Sequence, residues 1–231
     1  LVLIGSGQAR AADNATAIDP QRLARVESVV REEMQRQRIP GLAIAVISHG
    51  QVALARGFGY ANLEHEVPVS PETLFQSGSV GKQFTAAAVM LFVEDGKLSL
   101  DDPITKYLPE APLAWSTIRI RHLLTHTSGI ADYTTADFDL RRAYTEEGLV
   151  RMACAQPLGF RPGERYSYSN TGYLLLGAIL DRVGGRHYSE LLHDRIFKPL
   201  GMKSARLIDE SAIVMHRAAG YRLLAGRLAN Q

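Results

Sequence analysis

Strand signals occupy one short stretch near the N-terminus of this chain, and helical periodicity fills almost everything after it. Leu42 to Ser48 is a short, largely apolar run, His49-Gly50 is a two-residue turn, and Gln51 to Gly57 returns, which predicts a β-hairpin. A lone hairpin is marginal in water and needs more sheet, or a helix packed on it, to persist. Before it, Asp19-Pro20 reads as a helix start, a capping side chain followed by proline at the first helical position. Leu23, Val26, Val30 and Met34 then recur at helical spacing until Ile39-Pro40-Gly41 breaks the pattern. After the hairpin the periodicity predicts helices only. An alanine-rich one runs from Ser79 to Asp95 and stops at Gly96, and a short one covers Ile120 to His126. A third starts at the Thr145 cap and runs through Gln156. A strongly apolar one spans Asn170 to Val183 and ends at Gly184-Gly185, and an amphipathic one spans Tyr188 to Phe197.

Composition narrows the classes. The chain has 231 residues, 46% hydrophobic and 22% charged, which are ordinary globular values. A chain of this length buries roughly 70% of its unfolded surface, enough for a real core. The net charge is +2 with both signs interspersed, so neither a nucleic acid nor an acidic membrane surface is an expected partner. The single cysteine, Cys154, excludes an internal disulfide and a cysteine-based metal cluster. No apolar run approaches the roughly 20 residues of a membrane span. Leu1-Val2-Leu3-Ile4-Gly5, followed by Ala9-Arg10-Ala11, reads as the tail of a signal segment with an A-x-A cleavage site; the plainer reading is a short core strand. On the signal reading, residues 1–11 are a signal-peptide remnant, residues 12–231 are the domain, and the protein works in the periplasm or outside the cell.

Three segments carry candidate chemistry. In Ser79-Val80-Gly81-Lys82, a serine and a lysine three apart at a helix start share one face. A serine hydroxyl is a poor nucleophile until a base takes its proton. A lysine is a base only when neutral, a state that burial and a helix N-terminus both favour. That helix end also stabilises negative charge developing on an oxygen. The pattern is weak alone, and the plain alternative is a capping serine beside a solvated lysine. Second, Tyr166-Ser167-Tyr168-Ser169-Asn170 delivers a tyrosine and an amide to the start of an apolar helix. Tyr168 is suited to move protons and Asn170 to supply an amide hydrogen bond; Tyr166 competes for the tyrosine role but has no asparagine two residues on. The plain alternative has Asn170 as a cap and Tyr168 as packing. Third, His122 and His126 lie four apart, but no glutamate sits between them in the metalloprotease pattern, so no metal is assigned.

Other motifs fail on single positions. Gly5-Ser6-Gly7 is followed by Arg10 where a dinucleotide loop needs glycine. Gly81-Lys82 is followed by Gln83, with Gln76 in place of the first phosphate-loop glycine. Ser77-Gly78-Ser79-Val80-Gly81 begins with serine where a nucleophile elbow has glycine, which weakens a Ser-His-Asp arrangement of Ser79 with His126.

Taken in order, these pieces resemble the serine β-lactamase and penicillin-binding protein superfamily, in its class C-like branch with D-Ala-D-Ala carboxypeptidases and related esterases. The resemblance rests on Phe75 to Lys82, Leu98-Ser99-Leu100-Asp101-Asp102-Pro103, Leu123 to Gly129, Pro162-Gly163, and Tyr168-Ser169-Asn170-Thr171-Gly172-Tyr173, and it runs from about residue 20 to the end. It implies an α/β (α+β) fold, an antiparallel sheet flanked by helices plus a helical region carrying Tyr168. It also implies a serine acyl-hydrolase working through an acyl-enzyme on β-lactam, D-amino-acid peptide or ester substrates. Ser79 would be the nucleophile, Lys82 its activating partner and Tyr168 the proton relay. Asn170 would hold Lys82 and the substrate amide, and the Ser79 backbone N–H would be one oxyanion donor. No cofactor is implied. No separate deacylating glutamate of the class A type is evident, which favours the tyrosine branch. The chain departs from the pattern in one respect: no Lys-Thr-Gly or His-x-Gly follows Asn170. The expectation is therefore a domain cut short before its last strands, and the competing one is a noncatalytic fragment or interaction module with vestigial motifs.

Overall fold

The computed structural model describes residues 18–134, 138–139, 142, 144–209 and 211–231. The expected signal remnant at residues 1–11 lies outside them. The chain forms two compact units, one running through Ser77 and including Ile208–Gln231, the other Gly78–Leu207.

The first unit begins with α1 (Pro20–Gln37), capped as its sequence predicts: the Asp19 carboxylate accepts from the N–H groups of Gln21 and Arg22. β1 (Gly41–Ser48) and β2 (Gln51–Asn62) pair antiparallel in register Ser48↔Gln51 to Gly41↔Gly59, with an irregularity at Val46/Ile47. Positive φ at both His49 and Gly50, 50° and 74°, marks the tight hairpin turn their sequence announces. A third strand, β3 (Val67–Pro68), adds to β2. α1 lies against this sheet through an Arg56–Glu27 ion pair and through Arg31, whose guanidinium sits 5.7 Å above the Phe58 ring.

The expectation of helices only after the hairpin is incorrect. The last residues form a second hairpin, β4 (Tyr221–Leu224) and β5 (Arg227–Asn230). Its turn is Ala225-Gly226, both at positive φ, an unusual substitute for the Asn-Gly or Asp-Gly that makes such turns legible. This segment is tied back by Ala219 N–H to Ala61 O (2.8 Å) and Leu63 N–H to the Tyr221 hydroxyl (2.7 Å).

The second unit is helical. A 3₁₀ turn, Gly78–Gly81, leads into α2 (Lys82–Glu94). α3 (Ile120–Leu124) and α4 (Glu146–Cys154) follow, the latter capped by Thr145 as its sequence predicts. α5 (Asn170–Gly184) is the centre: Leu175, Leu176, Ala178, Ile179 and Leu180 are wholly buried, which explains its unbroken apolar character. α2, α3, α4 and α6 (Tyr188–Leu192) each pack on it. α6 is shorter than its periodicity predicts because the chain loosens into a π turn over His193–Phe197. Trp115, Ile104, Leu108 and Ile118 from the segment between α2 and α3 complete the core. Each such side chain contributes about 1.5–3 kcal/mol by burial. No helix among the described residues is long and apolar enough to cross a membrane.

Candidate active site

All four side chains singled out from the sequence meet within the helical unit, at the joined N-terminal ends of α2 and α5. The sequence places Ser79 in the α-helix itself; instead it lies in the preceding 3₁₀ turn, and Lys82 is the first residue of α2. A 3₁₀ turn has three residues per revolution, so positions three apart stack directly, more closely than on an α-helix. Lys82 Nζ accordingly donates to Ser79 Oγ at 3.1 Å. The Ser79 backbone N–H belongs to that same turn.

The chain that delivers α5 supplies the rest. The Tyr168 hydroxyl is 2.5 Å from Ser79 Oγ, and Asn170 Oδ1 accepts from Lys82 Nζ at 2.8 Å. Tyr168 OH also lies 3.4 Å from Asn170 Oδ1. Lys82 Nζ sits over two rings, 5.0 Å from the Tyr168 centroid and 5.6 Å from that of Tyr173. Burial raises the Tyr168 phenol, but its interactions with Lys82 and Ser79 outweigh that, and the phenol lies below its usual value. Tyr166, the competing tyrosine, is 67% exposed and stands edge-on to His126, with the ring centroids 5.9 Å apart. The structure thus separates the two tyrosines that the sequence leaves open.

His126 has a different place from the one a helical His122/His126 pair would have. α3 ends at Leu124, and His126 takes φ 56°, so the two histidines do not share a helix face. Its ring stacks obliquely between Tyr168 (4.5 Å) and Tyr173 (5.2 Å), and its Nδ1 accepts from Ser169 N–H at 3.2 Å. Burial first, then the Lys82 charge, holds the imidazole below its ordinary pKa. Three residues on, Gly129 adopts φ +79°, and a Cβ there would stand 2.2 Å from the Phe160 carbonyl oxygen, so only glycine fits. That close approach aligns the strand of chain leading to Tyr168, with Gly163 N–H on Thr127 O and Ser167 N–H on His126 O, both 2.8 Å.

Sequence reasoning missed Asp132. Its Oδ2 accepts from the Asn170 backbone N–H (2.8 Å) and from Asn170 Nδ2 (3.1 Å), and its Oδ1 accepts from the N–H and hydroxyl of Thr134 (2.9 and 2.7 Å). Burial pushes this carboxyl up, but those hydrogen bonds outweigh it and hold it below the usual range. Wholly buried Thr171 fixes the loop: its hydroxyl donates to Ala131 O (2.8 Å) and accepts from Tyr133 N–H (2.9 Å). Only the position of Asp132, just past Thr127-Ser128-Gly129, hints at this in the sequence.

Away from this centre, Glu146, Asp181 and His187 bring three oxygen or nitrogen atoms within 4.8 Å of one another. Burial, then Asp181, raises the Glu146 carboxyl.

A serine held by a lysine and a tyrosine at one helix start, with an asparagine at the next, brings together the residues that the resemblance to the serine β-lactamase and penicillin-binding protein superfamily implies. The chain belongs to the Beta-lactamase family, whose model matches residues 26–229. It is 34% identical over 180 residues to penicillin-binding protein 4* of Bacillus subtilis (strain 168), covering 74% of this chain and 40% of that protein. Among solved structures it is similar to the octameric penicillin-binding protein homologue from Pyrococcus abyssi, with a TM-score of 0.81, 37% identity, and coverage of 90% of this chain and 50% of the other. It is also similar to the D-amino acid amidase from Ochrobactrum anthropi SV3, with a TM-score of 0.79, 28% identity, and 90% and 61% coverage. The chain thus spans about two-fifths of the length of the curated relatives it matches.

Proposed function

We propose that this chain carries the acylating centre of a serine hydrolase that opens β-lactams, D-amino-acid peptides or amides, or simple esters through an acyl-enzyme on Ser79. The observation that carries the reading is Ser79 Oγ held at 2.5 Å from Tyr168 OH and 3.1 Å from Lys82 Nζ. The Ser79 proton passes to the Tyr168/Lys82 pair as Oγ attacks the acyl carbon. The carbonyl electrons move to oxygen, where the Ser79 N–H is one donor. As the intermediate collapses, the C–N or C–O bond breaks and Tyr168 returns the proton to the leaving nitrogen or oxygen. Water then adds to the ester by the same relay and frees Ser79. The lowered phenol pKa supports Tyr168 as the group that exchanges the proton. No step calls on a metal or cofactor. The named relatives, a penicillin-binding protein and a D-amino acid amidase, support acyl transfer from amides as the substrate class. The apolar Leu1–Ile4 run before Ala9-Arg10-Ala11 supports a periplasmic or secreted site of action, which cell fractionation tests.

The test is covalent labelling with a fluorescent penicillin and with p-nitrophenyl acetate, read by intact mass. The wild-type chain gains one acyl mass and Ser79→Ala gains none. Equal labelling of Ser79→Ala removes Ser79 as nucleophile. A folded wild-type chain that takes no label from either probe supports the noncatalytic module instead.

A further inference from the structure

The Asn170 side chain presents its oxygen to Lys82 and its nitrogen to Asp132. An amide has one accepting end and one donating end, and its orientation is set by what surrounds it. An ionised carboxylate accepts and never donates. Rotating the amide by a half turn would set Asn170 Oδ1 against the Asp132 carboxylate and Nδ2 against the Lys82 ammonium, two repulsive contacts in place of two hydrogen bonds. Among the described residues Asp132 has no cation in contact; its four hydrogen bonds come from Asn170 and Thr134. Among the described residues, the positive charge it meets through a hydrogen-bonded path is Lys82, on the far side of the Asn170 amide. A carboxylate on the nitrogen side polarises the amide and makes its oxygen a stronger acceptor for the ammonium.

We infer that Asp132 is a positioning residue that acts through Asn170, locking the amide with its oxygen on Lys82 and so setting where Lys82 and Tyr168 stand against Ser79. This rests on the Ser79 reading above and adds to it the residue that orients its asparagine. The plainer role is an external cap: Ser169 makes no side-chain cap for α5, and Asp132 satisfies the Asn170 N–H from outside. The two roles part on the charge. An asparagine at 132 has nearly the same shape and still accepts the Asn170 N–H, so it keeps the cap. It removes the charge: with its oxygen in the place of Oδ2 it accepts from both Asn170 groups as before, and its amide nitrogen in the place of Oδ1 gives up the Thr134 N–H.

The phenol offers an independent readout. Tyr168 is faced by Ser79 and Lys82 from the α2 end, His126 and Asp132 from the chain after α3, and Tyr133 and Tyr173 beside them. Lys82 stabilises the phenolate and Asp132 opposes it. Removing the Asp132 charge therefore lets the phenol ionise at lower pH.

The experiment compares wild type, Asp132→Asn, Asp132→Glu and Ser79→Ala, using p-nitrophenyl acetate acylation from pH 5 to 10. The Tyr168 phenol is titrated in parallel by ultraviolet difference against Tyr168→Phe in each background. In Asp132→Asn, acylation should fall roughly 10- to 100-fold, the range a hydrogen bond to a charged group carries. Its thermal midpoint should fall only slightly, through the lost Thr134 N–H bond, and both the acid limb and the phenol titration should move to lower pH. Asp132→Glu, which keeps the charge, should leave the phenol titration near its wild-type position. Wild-type acylation and titration in a folded Asp132→Asn overturn the inference. So does a rate loss that tracks lost stability with no movement of the titration, which is the cap role alone. Acylation of Ser79→Ala strikes at the nucleophile reading, and the phenol titration of Asp132→Asn still decides whether Asp132 governs this cluster.

Discussion

The two units of this chain are held together by different means. In Gly78–Leu207, buried apolar side chains from every helix converge on α5, with the wholly buried Phe92, Trp115, Ile120, Leu123, Leu176 and Ile179 among them. In the sheet unit the buried apolar residues among those described are Phe58, Ala61 and Val69, and β1 is half-buried along almost its whole length. Backbone proximity replaces side-chain packing there. Gly59 has φ +67°, and a Cβ on it would stand 2.2 Å from Pro40 O, which accepts the neighbouring Tyr60 N–H at 2.8 Å. The helical unit is defined by volume filled and the sheet unit by how near two stretches of main chain can come. The whole Ser79 cluster sits on the unit with the filled volume, which suits a site whose atoms must stay within hydrogen-bond distance.

The difference is sharpest under truncation of a core side chain. Leu176→Ala should destabilise the helical unit by about 3–5 kcal/mol, the cost of a lost transfer term and a cavity that neighbours cannot collapse into. Ile44→Ala in half-buried β1 should cost only about 1–2 kcal/mol, because less surface is withdrawn from water there. Amide exchange followed by mass spectrometry reads the units separately. Equal losses at the two positions would break the comparison.

The converse substitution adds a single methyl group. Gly59→Ala should cost about 2–3 kcal/mol through a left-handed backbone and a clash with a carbonyl that cannot retreat without losing its strand pairing. Exchange should rise across β1 and β2 and stay unchanged in α5. A variant with a wild-type exchange pattern would show that main-chain approach does not hold the sheet unit.

The same contrast explains what could be read in advance. The Asp19 and Thr145 caps, the His49-Gly50 turn and the apolar α5 were legible because each rests on spacing or on a residue with one strong local preference, whereas the four candidate site residues stood out as a set only through the family resemblance, each pattern being weak alone. The β4–β5 hairpin was not, since Ala225 carries no turn preference and Leu223-Leu224 has no alternation to mark a strand. The π turn after α6 was hidden because Ile196 and Phe197 keep helical spacing while the backbone loosens to bury them. Asp132 was hidden for a further reason. Its importance lies in contact with Asn170, 38 residues later, and no local pattern encodes such a pairing.

Acid pH should separate the units most gently. The helical unit encloses His122 and His126 in part, whereas His49, His65 and His216 of the sheet unit are exposed. Burial comes first in depressing both enclosed imidazoles, assisted by Arg119 and Arg121 at His122 and by Lys82 at His126. A folded-state pKa below the unfolded one means the unfolded chain takes up the proton first. Their contribution is therefore complete above about pH 6.5 and is lost as pH falls below it toward the folded value. Glu146, raised by burial and Asp181, works in the opposite direction, so the informative quantity is a difference between variants. Exchange in α3 and at the start of α5 should quicken between pH 7 and 5.5, once corrected for intrinsic rates, with little change in β1 and β2. In His126→Phe, which keeps a ring between Tyr168 and Tyr173, that quickening should be weaker whatever the variant's absolute stability. An unchanged pH slope in His126→Phe would assign the acid sensitivity to other groups, His122 first among them.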